Sequence, residues 1–314
     1  MKALVVGAGA VGQVYGRALV RAGAEVTYLV KPRHEEAARR GFVLHPWNEG
    51  RSAVPFRNFR VVVAPEPGHD VVLLAMSSTG LRAPGFVPDL AARIGAATVV
   101  TLQPDIDDAE LVYAHVPAER VVTGLIAFLA YLEPPGVAVW FPPLGTSALS
   151  GPRARPIARL LSAGGLPCRV VRDAVTTRAL GGAVLGTIVT ALEATGWDRR
   201  ALGRDRAVRV LACRAAREAV TIAARRRGVR PPLLVHALGP FTLRLGLAVF
   251  ARLAPFDISA FFRTHYSKIF DQHKLMAAAE LAQAQALGIP TPALEALHAA
   301  SAPGVSRPEP PVTS

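Results

Sequence analysis

The stretch KALVVGAGAVGQVYGRALVRAGAEVTYLVKPRH, residues 2–34, decides how this chain reads. It opens on a short apolar run that ends in glycine, the pattern of a strand buried on both faces of a parallel sheet. Gly7, Gly9 and Gly12 follow as G-x-G-x-x-G, and AVGQVYGRALVRAG then keeps helical spacing until Gly23. AEVTYLVK is the next strand. Three glycines between a strand and a helix are the setting in which a dinucleotide pyrophosphate is held. Gly7 permits the tight turn, Gly9 lets backbone approach the phosphates, and Gly12 lets the helix lie on the sheet. The free N–H groups where the helix opens, at Ala10 and Val11, face the ligand. The competing reading is a glycine-rich turn that binds nothing.

The residues after the second strand select the cofactor. NAD sites carry an acid about 20 residues past the loop, on the ribose hydroxyls. Here YLVKPRH offers Lys31 and Arg33 and no acid, which suits the extra phosphate of NADP; a solvated charge pair is the alternative. DVVLLAM (70–76) and AATVVTLQ (96–103) repeat the strand pattern. Open α/β sheets bind ligands at the C-terminal ends of their strands. Met76, Ser77 and Gln103 are therefore expected beside the cofactor, Gln103 at the nicotinamide end.

Working outward, VVTGLIAFLAYL, GVAVWFPP and LGTSALSG predict further strands, the later ones antiparallel. After about residue 173 the strand runs give way to helical ones, roughly 174–196, 205–228, 240–253 and 258–287. A short last helix follows in GIPTPALEAL, with Pro292 in its first turn. The expected fold class is α/β: a Rossmann-type parallel-sheet domain (1–172), then an all-helical substrate and dimerisation domain (173–302). The Pro-rich tail 303–314 reads as disordered.

Composition narrows the function. The 314 residues carry a formal charge of +13, but the cations are scattered arginines without interleaved aromatics, which argues against nucleic acid. No run of about 18 uncharged apolar residues predicts a membrane span, and the early first strand predicts no signal peptide. Cys168 and Cys213 read as small buried residues of a reducing, cytoplasmic protein. No histidine–carboxylate set has metal-ligand spacing. The expected partner is a small molecule, in a homodimer.

With the glycine loop, the basic second strand and the helical second half in hand, the chain resembles the ketopantoate reductase family. The opening residues 1–33 and ALGIPTPALEAL carry the likeness, which extends over about residues 1–300. The resemblance implies an NADPH-dependent reductase of a 2-keto acid. It also implies a catalytic lysine early in the first long helix, followed by asparagines on the same face. In this chain those positions are Ala179, Ala183 and Thr187. The family's LQNG has become LQPD, with Pro104 in place of asparagine, and a lysine after the fourth strand has become Ser77. A substrate-binding glutamate falls at Gln272 and a serine at Ala260. A count supports the departure: asparagine occurs only at positions 48 and 58, and lysine only at 2, 31, 268 and 274. The lysine's work in the family is to protonate the alkoxide that hydride transfer creates.

HYSKIFDQHK, residues 265–274, holds two of the four lysines and two of the eight histidines. On a helical projection His265 and Gln272 edge an apolar stripe of Phe262, Ile269, His273 and Met276. Lys268, His265 and Tyr266 are the candidate replacement acid, Gln272 a substrate contact, and Thr187 a hydrogen-bonding group. A solvated helix face is the competing reading. Two functions follow. One is an NADPH-dependent reductase of a larger, more apolar ketone, imine or activated alkene. The other is a redox-neutral enzyme, such as a cyclase or isomerase, or a non-catalytic protein on the same fold.

Overall fold

The computed structural model describes residues 1–50, 52–103, 106–143, 145–257, 259–263 and 270–301. The chain divides into two compact units, Met1–Thr177 and Arg178–Ser314.

Unit 1 is built on β1 (Lys2–Val6), α1 (Ala10–Arg21) and β2 (Glu25–Leu29), as the opening stretch predicts. It continues with α2 (Glu35–Arg39), β3 (Phe42–Pro46), β4 (Val54–Phe56), β5 (Arg60–Val62), β6 (Val71–Leu74), α3 (Ser78–Leu81) and α4 (Phe86–Arg93). Then come β7 (Thr98–Thr101), α5 (Ile106–Tyr113), β8 (Val121–Leu125), β9 (Leu129–Glu133), β10 (Gly136–Trp140), β11 (Ser147–Ser150), α6 (Ala154–Ala163) and β12 (Cys168–Val170).

Eight strands form the main sheet in the order β12-β11-β8-β7-β6-β1-β2-β5. All neighbours from β5 to β8 run parallel, and β11 joins β8 antiparallel. Alternation along β1 explains its apolar run. Ala3 and Val5 enter a core with residues of α1 and α6, while Leu4 and Val6 enter a second core with residues of α4 and α5. A strand covered on both faces has no polar side to show. The chain leaves β1 towards β2 on one side and β6 lies on the other, so the strand order reverses there. The C-terminal ends of β1 and β6 flank the crevice where such sheets bind ligands.

A second sheet, in the order β4-β3-β10-β9, is a correction to the sequence reading. VVTGLIAFLAYL is not one strand: β8 belongs to the main sheet and β9 to the second. Strands β3, β4 and β5 are short, and Pro46 and Pro55 fall in the first two, so their sequence signal is weak. Leu44, Phe56, Val137 and Val139 of the second sheet share a core with Val14, Tyr15 and Leu19 of α1. That cover leaves Gly12, Gln13, Val14, Tyr15, Gly16, Ala18 and Leu19 all buried. Asn48 fastens the second sheet: its amide donates to the carbonyl of Phe141 (2.9 Å) and its oxygen accepts from Phe141 N–H (2.7 Å).

Unit 2 is helical. α7 (Ala174–Ala194) starts in unit 1 and is followed by α8 (Arg199–Arg204), α9 (Arg206–Arg226), α10 (Pro240–Leu253), α11 (Phe270–Ala286) and α12 (Pro292–Ala300). α7 is long and apolar enough by length and composition to span a membrane; the core helix of a globular domain has the same signature. α9 is the axis of the unit. Its buried Ala212, Ala215, Ala216, Ala219 and Ala223 let neighbours approach closely, and α12, α10, α8 and α11 all pack on it. Arg209 is buried within it. Its guanidinium donates to the carbonyls of Leu202 (3.0 Å) and Gly203 (2.5 Å) at the end of α8 and to that of Pro240 (3.0 Å) at the start of α10.

Candidate functional site

The glycine turn has the geometry its chemistry requires. Gly7 has φ +98°, the left-handed region that glycine alone enters freely. Its N–H donates to the carbonyl of Leu29 (3.0 Å), and a Cβ there would come within 2.8 Å of the Ala75 carbonyl oxygen. A Cβ on Gly12 would collide with the carbonyl of Gly7. Gly7 and Gly12 are therefore packing glycines, and they bring α1 down onto the ends of β1 and β6.

Gly9 is different. It caps α1 in extended backbone, offers no side-chain cap, and a Cβ there would meet nothing within 4 Å. No side chain caps the N–H groups of the first turn, at Ala10, Val11 and Gly12, and no acid stands in that turn. This is an uncapped, electropositive helix end of the kind that takes a phosphate. Gln13, which the glycine pattern passes over, is buried and donates from its amide to the Ala8 carbonyl (2.9 Å), holding the turn from below.

Lys31 and Arg33 lie just past the end of β2, both exposed, around a short turn at Pro32–His34. Neither forms an ion pair with a described residue. Met76 is half-buried beside the turn. Ser77 is exposed and caps α3, its oxygen accepting from Gly80 N–H (3.2 Å). Gln103 is only 1% exposed. Its amide donates to the carbonyls of Leu74 (2.9 Å) and Met76 (3.1 Å), and its oxygen accepts from Leu102 N–H (3.2 Å). The side chain braces the end of β6, the same segment that Gly7 touches.

Asp108, on α5, is a residue the sequence reading missed. It is fully buried and accepts from the Ser78 hydroxyl (2.6 Å) and from Arg82 Nε (2.9 Å). It ties α5 to the segment that follows β6. The signal was the acid pair in LQPDIDDAE, which reads equally as an ordinary acidic helix start.

Within unit 2, Thr187 is buried and its hydroxyl donates to the Val184 carbonyl (2.8 Å), a bond to its own helix. Ala179 and Ala183 are half-buried on α7. His265, Tyr266 and Lys268 lie outside the described residues, as do Pro104, Asp105 and the tail 303–314. Gln272 falls on α11, in a stretch where only the backbone is described. Glu280, farther along α11, was not singled out; burial pushes its carboxyl up to about 7. Among the described residues no three metal-ligating side chains are gathered.

Sheet order, reversal point and glycine turn define a Rossmann-type α/β domain, followed by a helical one. Residues 3–147 match the family described as ketopantoate reductase PanE/ApbA, and unit 1 carries a domain of that family, whose members are oxidoreductases acting on ketones. The whole chain has the fold of solved structures. One is a PanE/ApbA family ketopantoate reductase from Ralstonia eutropha JMP134 (22% identity, TM-score 0.75, covering 96% of this chain and 97% of that one). Another is a D-mandelate dehydrogenase with NADH and anilino(oxo)acetate (18%, 0.73, 96% and 97%). A third is a 2-dehydropantoate 2-reductase from Geobacter metallireducens GS-15 (21%, 0.72, 96% and 99%). No curated protein matches the sequence.

The residues present fit a dinucleotide. The open space at Gly9 is the space a Cβ would fill, and the uncapped N–H groups of α1 supply donors for a pyrophosphate. Gly9, Ala10, Val11 and Gly12 would hold it.

Proposed function

We propose that the chain binds NADPH and reduces a C=O bond, or the related C=N or activated C=C bond, of a substrate larger and more apolar than ketopantoate. The open, uncapped start of α1 at Gly9 carries this reading. The exposed cations Lys31 and Arg33, the latter donating from Nε to His34 Nε2 (3.2 Å), favour the 2′-phosphate over a bare ribose, since YLVKPRH has no acid to accept from ribose hydroxyls. Bound NADPH would supply a hydride. The chain must then hold the substrate oxygen and deliver one proton to it.

In the ketopantoate reductases that work belongs to a lysine and asparagines. This chain has alanine at positions 179 and 183, and asparagine only at 48 and 58. Methyl groups in place of longer polar side chains at positions 179 and 183 are the reason for assigning a larger, more apolar substrate. His265, Tyr266 and Lys268 are the proposed proton donors.

The test is fluorescence titration with NADPH beside NADH, followed by a search for substrate-dependent oxidation of NADPH across ketones, imines and enones. The expected result is micromolar NADPH binding, weakened about tenfold or more by Lys31→Ala with Arg33→Ala while NADH binding is unchanged. Equal affinity for both cofactors would sink the phosphate assignment. Tight NADPH binding without oxidation by any substrate would favour the redox-neutral reading, which the missing lysine and asparagines also support.

A further inference from the structure

Gln103, just past β7, and Asp108, in the first turn of α5, both fasten the segment that leaves β6. The Gln103 amide donates to the Leu74 and Met76 carbonyls, and its oxygen accepts from Leu102 N–H. Asp108 accepts from the Ser78 hydroxyl on one carboxylate oxygen and from Arg82 Nε on the other. The four bonds to the segment thus run in order along residues 74–82. Neither side chain reaches solvent: Gln103 is 1% exposed and Asp108 0%. An amide nitrogen has two hydrogens, and Gln103 gives both to backbone. It works from behind the surface rather than on it.

The same segment is held from the glycine turn. Ala75 N–H donates to the Val6 carbonyl (2.9 Å). A Cβ on Gly7 would come within 2.8 Å of the Ala75 carbonyl oxygen, and one on Gly12 within 3.3 Å of the Ala75 Cβ. Ala75 and Met76 therefore lie between the glycine turn on one side and Gln103 on the other. Met76 is half-buried and Ser77 exposed, so both keep surface for a ligand. A dinucleotide with its pyrophosphate at Gly9 crosses the point where the strand order reverses. With its adenosine half towards β2, Lys31 and Arg33, the ends of β6 and β7 are left to the nicotinamide half.

We propose that Gln103 and Asp108 are positioning residues for the nicotinamide half of the cofactor, locking segment 74–82 to the end of β7 and to α5 so that Met76 and Ser77 meet the ligand in one fixed arrangement. This rests on the NADPH reading above. The physical reason is preorganisation. α3 is four residues long and buries only Ser78 and Leu81, and a helix of that length does not hold itself. Bonds to a buried amide and a buried carboxylate order the segment before the ligand arrives, so its ordering entropy is not charged to binding. Asp108 supplies the stronger pair, because its acceptor oxygens are ionised.

Paired titrations of the full chain with NADPH and with 2′,5′-ADP test this, because 2′,5′-ADP has the adenosine and the 2′-phosphate but no nicotinamide. Gln103→Met is close in volume and lacks the amide. It should weaken NADPH binding about tenfold or more and leave 2′,5′-ADP binding unchanged. Ser78→Ala removes one hydroxyl from Asp108 and should act in the same direction by about threefold. It carries the comparison alone if Gln103→Met loses its native circular dichroism spectrum. Variants that lower both affinities alike act on the whole fold and overturn the proposal, as do variants that change neither. A wild type that binds the two ligands equally well also overturns it, since the nicotinamide half then adds nothing. A wild type that binds neither overturns the NADPH reading, and the proposal falls with it.

Discussion

The phenol of Tyr28, near the C-terminal end of β2, donates to the backbone carbonyl of Gly12 at 2.9 Å. The same hydroxyl occupies the place where a Cβ on Gly16 would have to lie. Phe42, Phe56 and Phe59 surround the Tyr28 ring, with centroids at 5.1, 6.5 and 4.9 Å, so the ring has nowhere to retreat. Gly16→Ala should therefore destabilise unit 1 by about 1–3 kcal/mol, the usual cost of overpacking, read as a lower urea midpoint. An unchanged midpoint would show that the helix slides freely. Gly9→Asp should behave in the opposite way. Its new side chain meets no protein atom within 4 Å at Cβ, so stability should hold while NADPH affinity is lost. Retained affinity would remove the glycine turn from the site.

Asp108 has no exposed surface, and both of its hydrogen bonds go to the segment after β6. Asp108→Ala leaves the Ser78 hydroxyl and Arg82 Nε without their acceptor. Bonds to a charged group are worth about 1.5–3 kcal/mol, and a loss of that size is expected in chemical denaturation. Hydrogen exchange should rise in residues 76–82 more than in β1. Uniform exchange across unit 1 would argue against a local tie.

Glu280 makes stability depend on pH in a stated direction. Burial raises its carboxyl from 4.5 to about 7. The folded chain then binds this proton more tightly than the unfolded chain does. The group's favourable contribution is complete below about pH 4.5 and is lost as pH rises through 7. Glu280→Gln should raise Tm by a few degrees near pH 8 and change it little near pH 4.5. A Tm difference that is the same at both pH values would mean the carboxyl titrates normally.

Glu218, on α9, caps α12 from outside: its two carboxylate oxygens accept from the N–H groups of Ala293 (3.1 Å) and Leu294 (2.8 Å). Glu218→Ala should cost about 0.5–2 kcal/mol, the range for a lost N-cap, and should loosen α12 first in hydrogen exchange. Glu218→Gln keeps one acceptor and should recover part of the loss.

Much of this architecture is local and could be read directly. Spacing alone placed β1, α1 and β2, because a strand between two cores is apolar at every position and a helix repeats at 3.6 residues. Gly7, Gly9 and Gly12 were legible for the same reason. Their separate duties were not: only the coordinates show that Gly7 and Gly12 pack against backbone while Gly9 opens on free space. Of the second sheet, β10 was legible in GVAVWFPP; β3 and β4 were not, because each contains a proline, and β9 was not separable because it is continuous in sequence with a strand of the main sheet.

The sequence by itself determined the order of elements, the glycine turn with its basic neighbours Lys31 and Arg33, and the helical second half. It also confined asparagine to positions 48 and 58 and lysine to positions 2, 31, 268 and 274. Those properties are written in residue type and short-range spacing. Tertiary structure decided what depends on partners far apart in the chain: Asp108 with Ser78, 30 residues away, Glu218 with Ala293, 75 away, and Asn48 with Phe141, 93 away. It also decided that α10 buries only Leu243 and leaves Phe241, Leu245, Val249 and Leu253 exposed. Whether a face is buried is a property of what the remaining chain packs against it, and no local pattern carries that information.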